Sequence, residues 1–381
     1  MKTLVLIDSN AVIHRAYHAL PKTMSTSTGV LTNAVYGYAT TLIKVLEDLK
    51  PEYIAASFDV SKATFRLAEY SEYKAHRIKA DQELYDQIPL VREMLAALNI
   101  PVYEMEGFEA DDVIGTIAHK VQVTSNNNQT IDDQQLNILH TYIVTGDKDA
   151  FQLVDGNIEV YDLRHGLREA QIINSTVIRA KYNLDPYDFI DLKALAGDPS
   201  DNIPGVPGIG PKTATTLIQR FDTLVKLYEE IEKLLPAVIS TDLSFVALAK
   251  EGAEKSSSPE KISPPTPWSR DDKLIEAVAK RIDIKPRILR LLIEHKEQAF
   301  LSQRLATIRK DVPIDFDIEK CRWGDYDKEE LRVFFEKMQF HSLLRRFGAT
   351  HSEEESVSRS EEPVGAEVKK KNAKDDQLKL L

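Results

Sequence analysis

The chain has 381 residues, 43% hydrophobic and 29% charged, with a formal net charge of −11. That length and composition suit two or three compact soluble units. They exclude a membrane span, which needs about 20 consecutive apolar residues, and the opening MKTLVLI is too short for a signal-peptide core. The single cysteine, Cys321, excludes an internal disulfide framework and a cysteine-based zinc site, and it points to the cytoplasm. The acidic balance weighs mildly against a nucleic-acid partner. It averages over the whole chain, however, and local basic segments decide the question.

In chain order, apolar runs at residues 3–7, 53–58, 101–105, 142–145 and 158–161 read as strands. Helical spacing fills residues 34–49, 88–98 and 111–121 between them. This alternation predicts an α/β domain, residues 1–180, with a parallel sheet flanked by helices on both faces. Residues 124–135, TSNNNQTIDDQQ, read as an exposed loop extension. A helical second domain, residues 181–348, begins with an amphipathic stretch at 185–196 and the turn IPGVPGIGPK. Within it, the Ser/Pro-rich residues 252–270 read as a flexible insertion, and 286–308 and 327–347 as helices. The tail, residues 349–381, has too few large apolar residues to fold alone.

Acidic residues recur where the strands end. Asp8 follows TLVLI, Asp59 follows YIAASF, and Asp147 and Asp149 lie in VTGDKD. GFEADD adds Glu109, Asp111 and Asp112, and GDPSDN adds Asp198 and Asp201. Each alone has a plain structural explanation, because Asp after a strand caps a helix and acids suit a helix N-terminus. Their joint placement at the ends of different strands argues for more, since the crevice of an open α/β sheet lies there. Clustered carboxylates repel unless protons or cations neutralise them, and oxygen-only ligands suit Mg²⁺ or Mn²⁺.

Two further constellations point to nucleic acid. In the turn Gly205-Val206-Pro207-Gly208-Ile209-Gly210-Pro211-Lys212, glycines allow close approach and Pro211 suits a helix start, whose free amides face outward. The spacing excludes a P-loop, and the pattern looks like a helix-hairpin-helix that grips a DNA backbone without reading bases. An ordinary helix-to-helix connection is the alternative. In residues 66–77, helical spacing would put Arg66, Tyr70, Tyr73, Lys74 and Arg77 on one face, suited to a single strand. A solvated charged face is the alternative there.

The segments LIDSNAVIHRAYHAL, SFDVSKATFRLAEYSEYKAHR, GFEADDVIGTIA, VTGDKDAFQLV and ALAGDPSDNIPGVPGIGPKTA occur together and in order. On them the chain resembles the 5′-nuclease domain of bacterial DNA polymerase I, within the flap endonuclease family. The resemblance continues to FHSLLRRFG and so covers nearly everything up to Gly348. It implies a PIN-like α/β domain with a helical arch near residues 62–95, followed by a helical domain carrying a helix-hairpin-helix (H3TH). It assigns Asp8, Asp59, Glu109, Asp111, Asp112, Asp147, Asp149, Asp198 and Asp201 to two or more Mg²⁺ or Mn²⁺ ions. Arg15, Arg66, Lys74 and Arg77 match positions that contact or activate the scissile phosphate, and Tyr73 matches a stacking partner. Gly205, Gly208, Gly210 and Lys212 match the duplex-binding hairpin, which in this family often holds a monovalent cation (K⁺).

The expected activity is 5′→3′ exonuclease or 5′-flap endonuclease action on DNA, including RNA-primed ends, by a monomer working beside a separate DNA polymerase. Ser9 departs from the family's more frequent Gly, and residues 124–135 and 252–270 exceed its connections. Nothing after Gly348 resembles a proofreading or polymerase domain, which leaves a freestanding nuclease and a fragment of a longer polymerase as alternatives. The alternative is a non-catalytic binder of branched DNA on the same fold, whose signature would be a lost acid. A receiver domain would pair two acids at the first strand end, and an aspartyl phosphatase would need an acid where Asn10 stands.

Overall fold

The computed structural model describes residues 2–60, 63–126, 139–241 and 272–349. Among them, six strands form one sheet: β1 (Lys2–Asp8), β2 (Tyr53–Ser57), β3 (Val102–Tyr103), β4 (Leu139–Thr145), β5 (Ile158–Asp162) and β6 (Gln171–Ile173). Their order is β3-β2-β1-β4-β5-β6, parallel throughout except for β5 with β6. The edge strand β3 is two residues long rather than five. Antiparallel β6 has two exposed residues out of three, too short a signal to read from the sequence.

The centre of the sheet explains its unbroken apolar runs. Leu4 and Leu6 of β1 face one core, and Val5 and Ile7 face the other. Side chains alternate along a strand, so a strand buried on both faces must be apolar at every position.

The helices follow as α1 (Ser9–Ala19), α2 (Asn33–Leu49), α3 (Phe65–Glu69), α4 (Gln82–Tyr85), α5 (Ile88–Ala97) and α6 (Ala110–Asn126). Then come α7 (Ser175–Tyr182), α8 (Asp188–Ala196), α9 (Pro211–Phe221) and α10 (Leu224–Thr241). The chain ends with α11 (Asp272–Arg281), α12 (Pro286–Glu294), α13 (Lys296–Ala306), α14 (Lys328–Lys337) and α15 (His341–Ala349). Residues of α6, α8, α9 and α12 share the core with Leu4 and Leu6, while α1, α2 and α5 cover the opposite face. Onto that second face α14 and α15 fold back with Phe334, Phe335 and Phe347, each burial worth roughly 1.5–3 kcal/mol.

Two expected helices are each broken in two. The stretch 286–308 breaks at His295, whose backbone lies outside helical values. The stretch 327–347 breaks at Gln339, held at φ +61° while its side chain bonds both the amide and the hydroxyl of Ser27. The expected features at 252–270 and beyond Ala349, and most of 124–135, lie outside the described residues.

The strand order places the crevice. From β1 the chain moves to β2 and β3, then returns to the other side of β1 with β4 and β5. The switch lies between the carboxyl ends of β1 and β4, where Asp8 and Asp147 stand.

Candidate active site

Asp8 ends β1 and caps α1, accepting hydrogen bonds from the Ala11 amide at 3.0 Å and the Thr145 hydroxyl at 2.8 Å. The same Thr145 oxygen accepts from the Asp147 amide at 3.1 Å, so one hydroxyl fixes two acids across the switch point. Asp147 caps the short turn Lys148–Leu153 by accepting from the Asp149 amide at 2.9 Å. Asp59 accepts from Asn10 Nδ2 at 2.6 Å and from the Ala110 amide at 2.8 Å. That second bond locks the start of α6 to the end of β2.

Asp111, in the first turn of α6, accepts no hydrogen bond from the described residues. Burial, then Asp8, Asp147 and Asp149, hold its carboxyl well above the ordinary range. Burial likewise pushes Asp8 up to about 6, helped by Asp59 and Asp147 and opposed by its two hydrogen bonds. Asp149 is pushed up to about 7 by burial and then Asp147, although the Lys193 ammonium pulls the other way. These carboxylates face one another with too little positive charge between them.

Across the crevice, Asp149, Asp198 and Asp201 each offer a carboxylate oxygen, all within 4.8 Å of one another. Asp198 is held low: burial would raise it, but Lys193 and the bonds from Ser200 more than reverse that. Lys193, from the last turn of α8, pairs with both Asp149 and Asp198. No motif in the sequence flagged it. Its one cue is its place five residues before Asp198 in LKALAGD.

Residues 66–77 reach this crevice without forming the expected helix. After α3 the backbone turns, and Lys74 takes φ +55°, which no helix allows. Its amide donates to the Asp201 carbonyl at 2.9 Å, and Asn202 Nδ2 donates to the Glu72 carbonyl at 2.6 Å. The segment is thereby stitched to the 198–203 loop. Lys74 Nζ donates to Glu109 at 2.9 Å, and Arg77 pairs with Asp201. Tyr73, only 5% exposed, donates toward Glu109 at 3.2 Å and Asp201 at 3.1 Å, so its ring is packed inside rather than presented for stacking. The expected arch near 62–95 is, over its described residues, a series of short helices α3, α4 and α5 joined by turns.

Arg66 and Asp112 differ most from expectation. Arg66 is 2% exposed and Asp112 0%. Their bidentate pair, at 2.7 and 2.8 Å, is completed by the amides of Glu109 at 3.1 Å and Arg309 at 2.8 Å. Four donors fill the lone pairs of Asp112. Arg66 also donates to the carbonyls of Leu305 and Thr307 at 2.9 and 2.8 Å. Asp112 therefore has no oxygen left for a metal, and Arg66 faces no phosphate. Arg15, beside the loop after β5, has no ion-pair partner among the described residues. A Cβ added to Gly166 would lie 3.6 Å from its Nη2.

The glycine turn is pinned from two sides. The Gly205 amide donates to Ser302 Oγ at 3.0 Å, Gln298 Nε2 donates to the Gly205 carbonyl at 2.8 Å, and the Val206 amide bonds the Leu195 carbonyl at 2.8 Å. Gly205 has φ +60°, and a Cβ there would fall 2.2 Å from the Gly197 nitrogen. Gly208 has φ +86°. Around Gly210, which precedes Pro211 of α9, a Cβ would meet nothing within 4 Å. Lys212 is exposed at the same helix start.

Two family models match the chain. The 5′-3′ exonuclease N-terminal resolvase-like domain covers residues 3–183, and the 5′-3′ exonuclease C-terminal SAM fold covers 184–250. The chain belongs to the 5′-3′ exonuclease family. It is 35% identical to DNA polymerase I of Bacillus subtilis over 354 residues, 93% of this chain and 33% of that protein. It is 42% identical to DNA polymerase I of Mycobacterium tuberculosis over 231 residues, 60% of this chain and 24% of that protein. The chain thus spans at most about a third of the length of these curated relatives. A solved structure of T5 5′-exonuclease with bound zinc superposes with a TM-score of 0.53 at 18% identity, over 89% of this chain and 99% of that one. That likeness is one of fold: a mostly parallel sheet flanked by helices, then a helical domain. In this chain the acids gather at the carboxyl edge of the sheet, and the pinned glycine turn begins four residues beyond Asp201.

Proposed function

We propose that this protein is a divalent-metal-dependent 5′ nuclease that hydrolyses DNA phosphodiesters at a 5′ end or 5′ flap. Primer removal and flap processing in cytoplasmic replication and repair are its setting. The observation that carries the reading is the convergence of Asp8, Asp111, Asp147 and Asp149 in one crevice, three of them with raised affinity for protons. Such a cluster fits a cation better than it fits solvent, and its oxygen-only donors favour Mg²⁺ or Mn²⁺. Asp8, Asp111 and Asp147, with Asp59 and Glu109 alongside, would hold one ion. Asp149, Asp198 and Asp201 would hold another. Bound ions would activate a water and neutralise charge on the reacting phosphate.

The chain's own cations do the rest. Lys74 and Arg77, paired with Glu109 and Asp201, are placed to meet phosphoryl oxygens as charge develops there. Arg15, which forms no ion pair among the described residues and lies in electrostatic reach of Asp162, supplies a further guanidinium. The open face at Gly210 and the amides at the start of α9 suit a duplex phosphate, with Lys212 adding charge. A K⁺ ion at this turn belongs to the same reading. The enzyme would act as a monomer, beside a polymerase that creates its substrate.

A 5′-flap duplex labelled at its 5′ end tests the proposal. Flap release that requires both Mg²⁺ and an intact Asp111, lost in Asp111→Ala, is the expected result. Tight binding without cutting in Mg²⁺ or Mn²⁺ would instead identify a branched-DNA binder.

A further inference from the structure

Lys193 reaches the acids from a different element than the other cations do. Lys74 and Arg77 come from the segment above and leave the pair of Asp149 and Asp198 alone. Lys193 rises from α8, mostly buried, and its ammonium sits between those two carboxylates, with Asp198 at 2.5 Å. Asp149 and Asp198 are two members of the three-carboxylate group completed by Asp201. An ammonium bonded to both takes the lone pairs that a divalent ion on the same oxygens would use. The backbone that carries the charge is held in place, because the Lys193 carbonyl bonds the Gly197 amide at 2.9 Å and α8 packs along α13. Only the flexible stem of the lysine is free to withdraw.

We propose that Lys193 is a built-in competitor for the second divalent ion. It stabilises the Asp149–Asp198 pair when no ion is bound and must be displaced when one arrives. Asp8, Asp111 and Asp147 themselves form no ion pair among the described residues, the nearby Lys74 ammonium bonding Glu109 instead, so the two sites fill at different divalent concentrations. This inference rests on the reading of the trio as an ion site given above.

Mn²⁺ binding to the full chain without DNA, followed by electron paramagnetic resonance and calorimetry, tests it. Lys193→Met keeps the stem and removes the charge. It should leave the tighter ion unchanged and bind the weaker one about ten-fold more tightly, within the 5–150-fold range common for coupled sites. Lys193→Arg should resemble the wild type, and Lys193→Gln serves if the Met variant does not fold. Unchanged or weaker binding of the second ion in the uncharged variant would overturn the role of Lys193. If wild type and Asp149→Asn bind the same number of ions with the same affinities, the trio itself is not an ion site and the underlying reading fails.

Discussion

Asp112 and Arg66 show how one residue's role depends on partners the sequence does not display. Both lie in motifs dense with functional residues, and the family resemblance, with its place beside Asp111, made Asp112 look like a ligand. The bidentate pair across 46 residues, closed by the Arg309 amide 197 residues away, makes it a joint between α3, α6 and the strand-like return after α13. Removing one partner of a buried pair leaves an uncompensated charge. Asp112→Ala should therefore lower the unfolding free energy by about 3–5 kcal/mol in urea. The folded variant should bind Mn²⁺ as the wild type does, and a selective loss of ion binding would restore Asp112 as a ligand. Lys74 tests the opposite kind of residue. It reaches Glu109 from the rim, and Lys74→Ala should slow single-turnover cleavage about 10²–10³-fold, as loss of one charge-stabilising donor does. A rate within two-fold of wild type would remove Lys74 from the chemistry. Most of the acids were legible because they follow a strand or open a helix, whereas Asp198 and Asp201, in the loop after α8, were legible from the motif GDPSDN. Lys193 was not, because an ammonium reaching out from the last turn of α8 leaves no periodic trace.

At the scale of elements, the five parallel strands and many helices were legible from apolar periodicity, whereas β6 and the breaks were not. Periodicity persists across His295 and Gln339 while the backbone turns, because the apolar faces on both sides still need burial. Residues 66–77 fail as a helix for a different reason: the Lys74 and Asn202 bonds to the facing loop outweigh local spacing. The glycine turn separates fold from grip. Gly205→Ala should unfold at clearly lower temperature, since its Cβ would collide with Gly197 backbone. Gly210→Ala, facing open space, should melt with the wild type yet bind flap DNA more weakly. Equal DNA binding by wild type and Gly210→Ala would move the duplex contact elsewhere.

For the whole molecule, the acid cluster couples ions, protons and stability. Asp8 and Asp149, lifted to about 6 and about 7 from an ordinary 3.8, hold protons in the folded state that the unfolded chain has released. Stability contributed by these groups therefore falls as pH rises from roughly 4 to 7. In EDTA the melting temperature should drop over that window, and less so in Asp111→Asn. Millimolar Mg²⁺ should raise it most at the upper end, by binding the folded state alone. A melting curve indifferent to Mg²⁺ at pH 7.5 would count against the ion sites. The parallel sheet whose carboxyl ends carry the crevice followed from strand and helix alternation, but its strand order was read only from the structure. The return of α14 and α15 onto the far face did not follow, because amphipathic helices do not announce which surface they will cover.

The most direct measurement is anomalous diffraction from crystals grown with Mn²⁺. Two peaks are expected, one among Asp8, Asp111 and Asp147 and one among Asp149, Asp198 and Asp201, with none against Asp112. No manganese at these carboxylates, or an ion held by Asp112, would contradict the account.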